Sequence, residues 1–138
     1  MFLYMDYERN TTTERIVQQI IAEEPDFMDI RVAQPKICVL DCMLVKKSEG
    51  RLVFADIRAV PDQYKVLCDM DYIITVYTRN TFLLTDEQFK ILLEHELRHI
   101  DIRNTKKGIV MGTVGHDFED FYAIVDRYGM EWSKCLNG

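Results

Sequence analysis

The stretch Thr85-Asp-Glu-Gln-Phe-Lys-Ile-Leu-Leu-Glu-His-Glu-Leu-Arg-His-Ile-Asp-Ile-Arg103 decides the fold, because it predicts one long buried helix. Thr85 and Gln88 match a capping box, and two acidic residues fall in the first turn, where the helix dipole favours negative charge. The residues that follow are apolar on most faces, which is typical of a buried helix. The pattern predicts a helix from Asp86 to about Arg103, ended by the segment 104–108.

This helix contains His95-Glu96-Leu97-Arg98-His99, in which the two histidines are four residues apart. At about 3.6 residues per turn, such side chains lie one above the other on a single helix face. Two neutral imidazoles placed in this way can both reach one zinc ion. Glu96 lies beside the first histidine, where its carboxylate can accept a proton from water. The motif predicts one Zn²⁺ per chain, held by His95 and His99, with Glu96 as the catalytic base.

A catalytic zinc site has three protein ligands and one open position, so a third ligand is needed. The third and last histidine of the chain, His116, follows a loop that is long enough to double back, and it is the preferred ligand. Glu119 lies one turn further along and is the alternative third or fourth ligand. We expect Asp101, Asp117 and Asp120 to orient a ligand imidazole by accepting a hydrogen bond from its other nitrogen.

The rest of the chain predicts an α+β domain with a small, mainly antiparallel three-stranded sheet. A capping box at Thr11–Glu14 and the apolar spacing of Arg15–Glu24 predict an amino-terminal helix, and Asp117–Tyr128 predicts a carboxy-terminal one. Three segments show the β-branched and aromatic enrichment of strands: Lys36–Val45, Arg51–Val60 and Asp71–Thr78. Between the last two, 61–70 fits either a short helix or a loop.

Composition narrows the functional classes. The 138 residues, 48% of them hydrophobic, are typical of a single globular domain spanning 1–138. The net charge of −6 argues against nucleic acid as a partner, because phosphate binding needs a cationic surface. No apolar run reaches the roughly 18 residues that span a bilayer, and the first residues do not resemble a signal peptide. The four cysteines form no CxxC pair. We therefore expect a cytoplasmic protein without a membrane partner.

Two blocks of the sequence resemble a known family. Leu92–Asp101, with the HExxH motif, and Gly115–Phe121 look like the metallopeptidases found in phage and prophage genomes, and more distantly like SprT-like and ImmA-like zincins. The resemblance covers about residues 71–125. The chain lacks the cysteine-rich zinc ribbon of many SprT-like proteins and the helix-turn-helix domain fused to some ImmA-like proteins.

The resemblance implies a minimal zincin-like fold that hydrolyses a protein or peptide substrate in a bacterial host. It also implies that His95, His99 and His116 hold a single zinc ion beside Glu96. Arg98, Tyr122 and Tyr128 are candidate donors to the oxyanion. If the strand 71–78 forms the sheet edge, it can pair with an extended peptide. The alternative function is a catalytically inactive or partner-dependent zinc-binding regulatory module. The oligomeric state stays open.

Overall fold

The computed structural model describes residues 6–115 of the chain. Its α-helices in this range are α1 (Thr11–Glu23), α2 (Met28–Ala33), α3 (Asp62–Cys68), α4 (Thr78–Thr81) and α5 (Asp86–Leu97). A short 3₁₀ turn, Pro25–Phe27, joins α1 to α2. The strands are β1 (Tyr7–Arg9), β2 (Ile37–Cys42), β3 (Lys47–Ser48), β4 (Arg51–Leu52), β5 (Ala55–Ala59), β6 (Tyr72–Tyr77), β7 (Ile100–Thr105) and β8 (Gly108–Thr113). The predicted α+β class is confirmed, whereas the expected helix Asp117–Tyr128 lies outside the described residues.

The main sheet has four strands in the order β1-β2-β6-β5, so the prediction of three strands is wrong. The additional strand, β1, has only three residues and no alternating pattern that could have marked it. β1 and β2 are antiparallel, β2 and β6 are parallel, and β6 and β5 are antiparallel. The strand predicted at 71–78, observed as β6, therefore lies inside the sheet, and β5 forms the edge on that side among the strands of residues 6–115.

The segment predicted as one strand over Arg51–Val60 divides into two. Its first residues form β4, which pairs with β3 in a separate small hairpin. Glu49 and Gly50, which connect β3 to β4, both have positive φ, 52° and 78°. Hairpin turns of this kind favour glycine at the second of these positions. The strand that joins the main sheet begins only at Ala55, so just the second half of the predicted segment belongs to that sheet.

Helix α1 begins one residue earlier than its sequence pattern predicts. Asn10, not Thr11, is the N-cap, and its side-chain oxygen accepts a hydrogen bond from the Thr13 amide at 2.9 Å. Glu14 is not part of a capping box. It bonds instead to the Arg9 guanidinium at 2.8 Å and to the Val39 amide at 3.2 Å. The first turn of α1 is thereby attached to the sheet.

The core lies between one face of the sheet and the two longer helices. Val17 of α1, Leu93 and Leu97 of α5, and Val39 and Ile74 of the two central strands are fully buried, with no exposed surface. Val39 and Ile74 are register partners, and side chains alternate along a strand, so every second residue of these strands faces the core. The buried residues of α5 all lie in its second half, whereas Asp86, Glu87 and Lys90 in its first half are exposed.

The predicted helix over residues 86–103 is too long. α5 ends at Leu97, and the residues from Ile100 onward form β7, which pairs antiparallel with β8. Ile100 and Ile102 both pack against the core, and a spacing of two residues puts side chains on one face of a strand but not of a helix. Lys106-Lys107-Gly108 is the hairpin turn, with Gly108 at a φ of 119°. The expected loop after residue 108 is therefore strand β8.

Tyr72 joins the main sheet to this hairpin. Its ring is completely buried, and its hydroxyl donates a hydrogen bond to the Gly112 carbonyl of β8 at 2.8 Å. Burial, followed by the negative charges of Asp101 and Asp71, raises the pKa of Tyr72 from 10.0 to about 12. Folding therefore favours the protonated phenol. The stabilisation is complete below about pH 10 and is lost as the pH rises from there towards 12.

We predict that Tyr72→Phe lowers the free energy of unfolding by about 1 kcal/mol at neutral pH, because the Gly112 carbonyl loses its donor. The variant should also lose less stability than the parent between about pH 8 and 11, since it has no phenol to ionise. Tyr64→Phe, at a side chain that is 51% exposed, is the control. Thermal unfolding at both pH values measures the difference. An equal loss of stability at alkaline pH in the parent and in Tyr72→Phe would contradict the raised pKa assigned to Tyr72.

Candidate metal centre

The register of α5 is set at its amino end. The Thr85 hydroxyl accepts a hydrogen bond from the Gln88 amide at 3.1 Å, and the Gln88 side chain accepts one from the Thr85 amide at 2.9 Å. This is the capping box that the sequence predicts. With the start fixed in this way and Leu93 and Leu97 in the core, the helix turns Glu96 and His99 into the protein.

The three residues of the motif that carry chemistry come together at the other end of α5. The ligand atoms of His95, Glu96 and His99 all lie within 4.8 Å of one another. The two imidazole centroids are 5.2 Å apart, and the ring planes are nearly perpendicular at 88°. Glu96 and His99 are buried, and His95 is partly exposed. The helix has already ended at this point, because the His99 amide bonds to the Glu96 carbonyl, three residues back, at 3.1 Å.

Val114, which directly follows β8, holds His99 by two hydrogen bonds. The Val114 amide donates to the His99 carbonyl at 2.8 Å, which continues the hairpin ladder by one residue. His99 Nδ1 lies 2.7 Å from the Val114 carbonyl oxygen. A carbonyl oxygen can only accept, so Nδ1 is the protonated nitrogen and Nε2 has the lone pair that can bind a metal. A backbone carbonyl thus does for His99 what the sequence analysis assigned to an aspartate.

Glu96 is an unusual carboxyl group. Burial, and secondarily the negative charge of Asp56, raises its pKa from 4.5 to about 8. Taking a carboxylate out of water disfavours its charged form. A nearby cation would stabilise the charged carboxylate, and the uptake of a proton would remove its charge. A pKa of about 8 means that the carboxyl is mainly protonated at neutral pH unless a nearby cation stabilises its charge.

The site opens into a cleft of about 230 Å³ between β5 and the end of β8. The cleft is lined by residues from three elements: Ala55, Asp56, Ile57, Glu96, His99, Thr113 and Val114. One wall is thus an edge strand of the main sheet, and the other is the segment that holds His99. This gives reactants access to the two buried side chains of the motif.

Asp56, which lies in β5 beside the cleft, was not among the predicted site residues. Its carboxylate oxygen Oδ2 accepts hydrogen bonds from Lys46 Nζ and from the Tyr77 hydroxyl, each at 2.8 Å. Hydrogen bonding to Asp56 raises the pKa of Lys46, and burial raises that of Tyr77. These contacts hold the edge strand β5 against β6 and the loop before β3. Residues so distant in sequence have no common motif that could have revealed them.

Two candidates from the sequence analysis have other contacts in the structure. Asp101 lies in β7, where its carboxylate forms an ion pair with Arg103 Nε at 2.9 Å. The Arg98 guanidinium faces acidic side chains, including Asp26 at 3.2 Å and Glu94 at 3.4 Å. The other candidates lie outside the described residues: the ligands His116 and Glu119, the orienting residues Asp117 and Asp120, and the oxyanion donors Tyr122 and Tyr128.

The donor set fits a divalent transition metal such as zinc. Imidazole nitrogens and a carboxylate oxygen are its usual ligands, and water fills an open position in catalytic sites. No other group of three or more histidine, cysteine, aspartate or glutamate side chains in residues 6–115 could hold a metal. Cys38 and Cys42 are buried in the sheet. Among the described helices, none is long and apolar enough to cross a bilayer.

Among known proteins, the chain matches one family model. No curated protein and no solved structure matches the chain. The model of one protein family, described as "Putative phage metallopeptidase", matches residues 5–138, which is nearly the whole sequence. The matched range includes all three histidines as well as Glu96. The chain therefore belongs to this family of phage metallopeptidases.

Proposed function

We propose that the protein is a zinc-dependent peptidase of the HExxH type, in which Glu96 is the general base. The observation that supports this most strongly is the convergence of His95, Glu96 and His99 within 4.8 Å at the end of one helix. Family membership supports the metallopeptidase activity in general. The geometry adds which side chains would carry it out.

In this proposal His95 and His99 hold the metal, and His116 completes the set, with Glu119 as the alternative. A bound zinc ion supplies Lewis acidity, which polarises the scissile carbonyl and makes water a better nucleophile at neutral pH. The protein's part is to orient each imidazole so that one ring nitrogen faces the metal. For His99, the 2.7 Å contact of Nδ1 with the Val114 carbonyl supports this role.

Glu96 accepts a proton from the attacking water and then delivers it to the leaving amine. Its burial next to the two histidines supports this exchange, because a bound cation would favour the charged carboxylate that can accept a proton. The carboxyl lies in the cleft wall, where it can reach the substrate. Glu96 is therefore the residue on which hydrolysis depends most directly.

The substrate is an extended segment of a protein or peptide. β5 is an edge strand of the main sheet, and it lines the cleft together with Glu96 and His99. An edge strand can hydrogen-bond an extended chain through its backbone, and this would lay the scissile bond across the site. Pairing of this kind takes place at β5, not at the strand 71–78, because that strand is internal.

We predict that Glu96→Gln retains zinc but that its rate of hydrolysis falls by about 100-fold or more, because an amide cannot accept the proton. The matched control is Glu87→Gln, the same substitution at an exposed position on the first turn of α5. Zinc content by mass spectrometry of the native protein, and new peptide termini released from a mixture of unfolded proteins, give the two readouts. Full hydrolysis by Glu96→Gln would remove Glu96 from this role.

A second prediction concerns the ligands. The parent should keep one zinc ion per chain after dialysis against a weak chelator, and His95→Ala, His99→Ala and His116→Ala should lose it, because three protein ligands are needed. Glu119→Ala should keep the metal. If Glu119→Ala loses its zinc and His116→Ala keeps it, the Glu119 carboxylate is the third ligand. Loss in both would indicate four protein ligands and favour the regulatory module. Retention in all three histidine variants would contradict the site.

A further inference from the structure

Arg98 is a charged residue that is almost enclosed by the protein. Its side chain is only 7% exposed, and the guanidinium lies 3.4 Å from Glu94, 3.2 Å from Asp26 and 3.9 Å from Glu24. The guanidinium carbon is also 5.3 Å from the centre of the Phe27 ring. Asp26, Glu24 and Phe27 belong to the connection between α1 and α2. Arg98 thus ties the end of α5 to a distant part of the chain.

Two of these acidic partners are themselves buried. Glu24 is 5% exposed and Glu94 3% exposed, whereas the Asp26 side chain is 60% exposed. Removing charges from water is costly, so a buried ion pair often adds little net stability. Such a pair does restrict geometry, because separating opposite charges inside the protein is unfavourable. The cluster therefore fixes where the end of α5 lies relative to the α1–α2 connection.

Arg98 also lies where the regular helix stops. Its amide is shared between the Glu94 and His95 carbonyls, at 3.2 Å each, and the next residue is His99. The α-helical bonds give way here to a 3₁₀ bond, from the His99 amide to the Glu96 carbonyl at 3.1 Å. On one side His99 is held by Val114, at the end of β8. On the other side, the chain is held by the buried side chain of Arg98.

We propose that Arg98 is a positioning residue for the metal site: it anchors the turn after α5 so that His99 meets His95 and Glu96. The inference rests on the proposed metal site, and it adds a residue that does not touch the metal. Loss of an interaction that orients a ligand commonly lowers metal affinity by 10- to 100-fold. We expect an effect of about this size when Arg98 loses its charge.

The experiment compares zinc dissociation constants, measured by competition with a chromophoric chelator at low temperature. Arg98→Met keeps the apolar stem over Phe27 but leaves Glu94 without the guanidinium, which can destabilise the fold strongly. The double variant Arg98→Met with Glu94→Gln removes that buried charge and serves if the single variant does not fold. Arg98→Lys keeps the charge.

The matched control is Arg31→Met. Arg31 Nη1 donates to the carbonyls of Ile21 and Glu24 at 2.7 and 2.6 Å, so it stabilises the same connection through the backbone at the end of α1. We expect it to lower the unfolding temperature while zinc affinity stays at the parental value. The Arg98→Met variants should bind zinc about 10- to 100-fold more weakly, and Arg98→Lys should restore part of the loss.

Three results would overturn the inference. Parental zinc affinity in the folded Arg98→Met variants would remove Arg98 from this role while leaving the proposed function intact. An equal loss of affinity in Arg31→Met would make the effect one of general stability. A parent protein that binds no zinc would overturn the proposed function together with the inference.

Discussion

The pair of hydrogen bonds between His99 and Val114 is the contact on which the site depends. The Val114 amide bonds to the His99 carbonyl at 2.8 Å, and the His99 ring bonds to the Val114 carbonyl at 2.7 Å. One residue thereby fixes both the backbone and the imidazole of His99, immediately after α5 has ended. Beyond the end of α5 at Leu97, the helix holds His99 through one backbone bond, from the His99 amide to the Glu96 carbonyl at 3.1 Å, and Val114 adds the bond that orients the ring.

The rest of the described fold supports that contact from several directions. The capping box at Thr85 starts α5 in a defined register, and buried leucines pack the helix on the sheet. The hairpin that ends at Val114 packs Ile102 on the core and receives the Tyr72 hydroxyl at Gly112. Asp56, held by Lys46 and Tyr77, stabilises the edge strand across the cleft. The site is therefore built from tertiary contacts around one local motif.

The sequence alone predicted the local parts of this arrangement. The HExxH spacing indicated which three side chains meet, because four residues make about one helical turn, and the capping box marked the start of α5. The predicted end of α5 was wrong because the apolar residues at 97, 100 and 102 are compatible with a helix buried on most sides as well as with a strand. The fourth strand was missed because Tyr7–Arg9 has too few residues to show a period.

The contacts that complete the site had no signal in the sequence. A backbone carbonyl such as that of Val114 has no residue signature, so an aspartate was expected to orient the imidazole. Asp56 and Arg98 meet partners from separate elements, such as Tyr77 and Glu24, and only the folded topology brings these together. His116 and Glu119, which the sequence predicts as further ligands, remain predictions because they lie outside the described residues.

The protonation of the His99 ring tests the central claim most directly. Long-range nitrogen-15 spectra of the histidine rings report which nitrogen carries the proton, and a His99→Gln sample assigns the His99 signals. The account predicts that His99 is protonated at Nδ1, and that added zinc shifts the Nε2 signal while Nδ1 keeps its proton. A His99 ring protonated at Nε2, with signals that zinc leaves unchanged, would contradict the account.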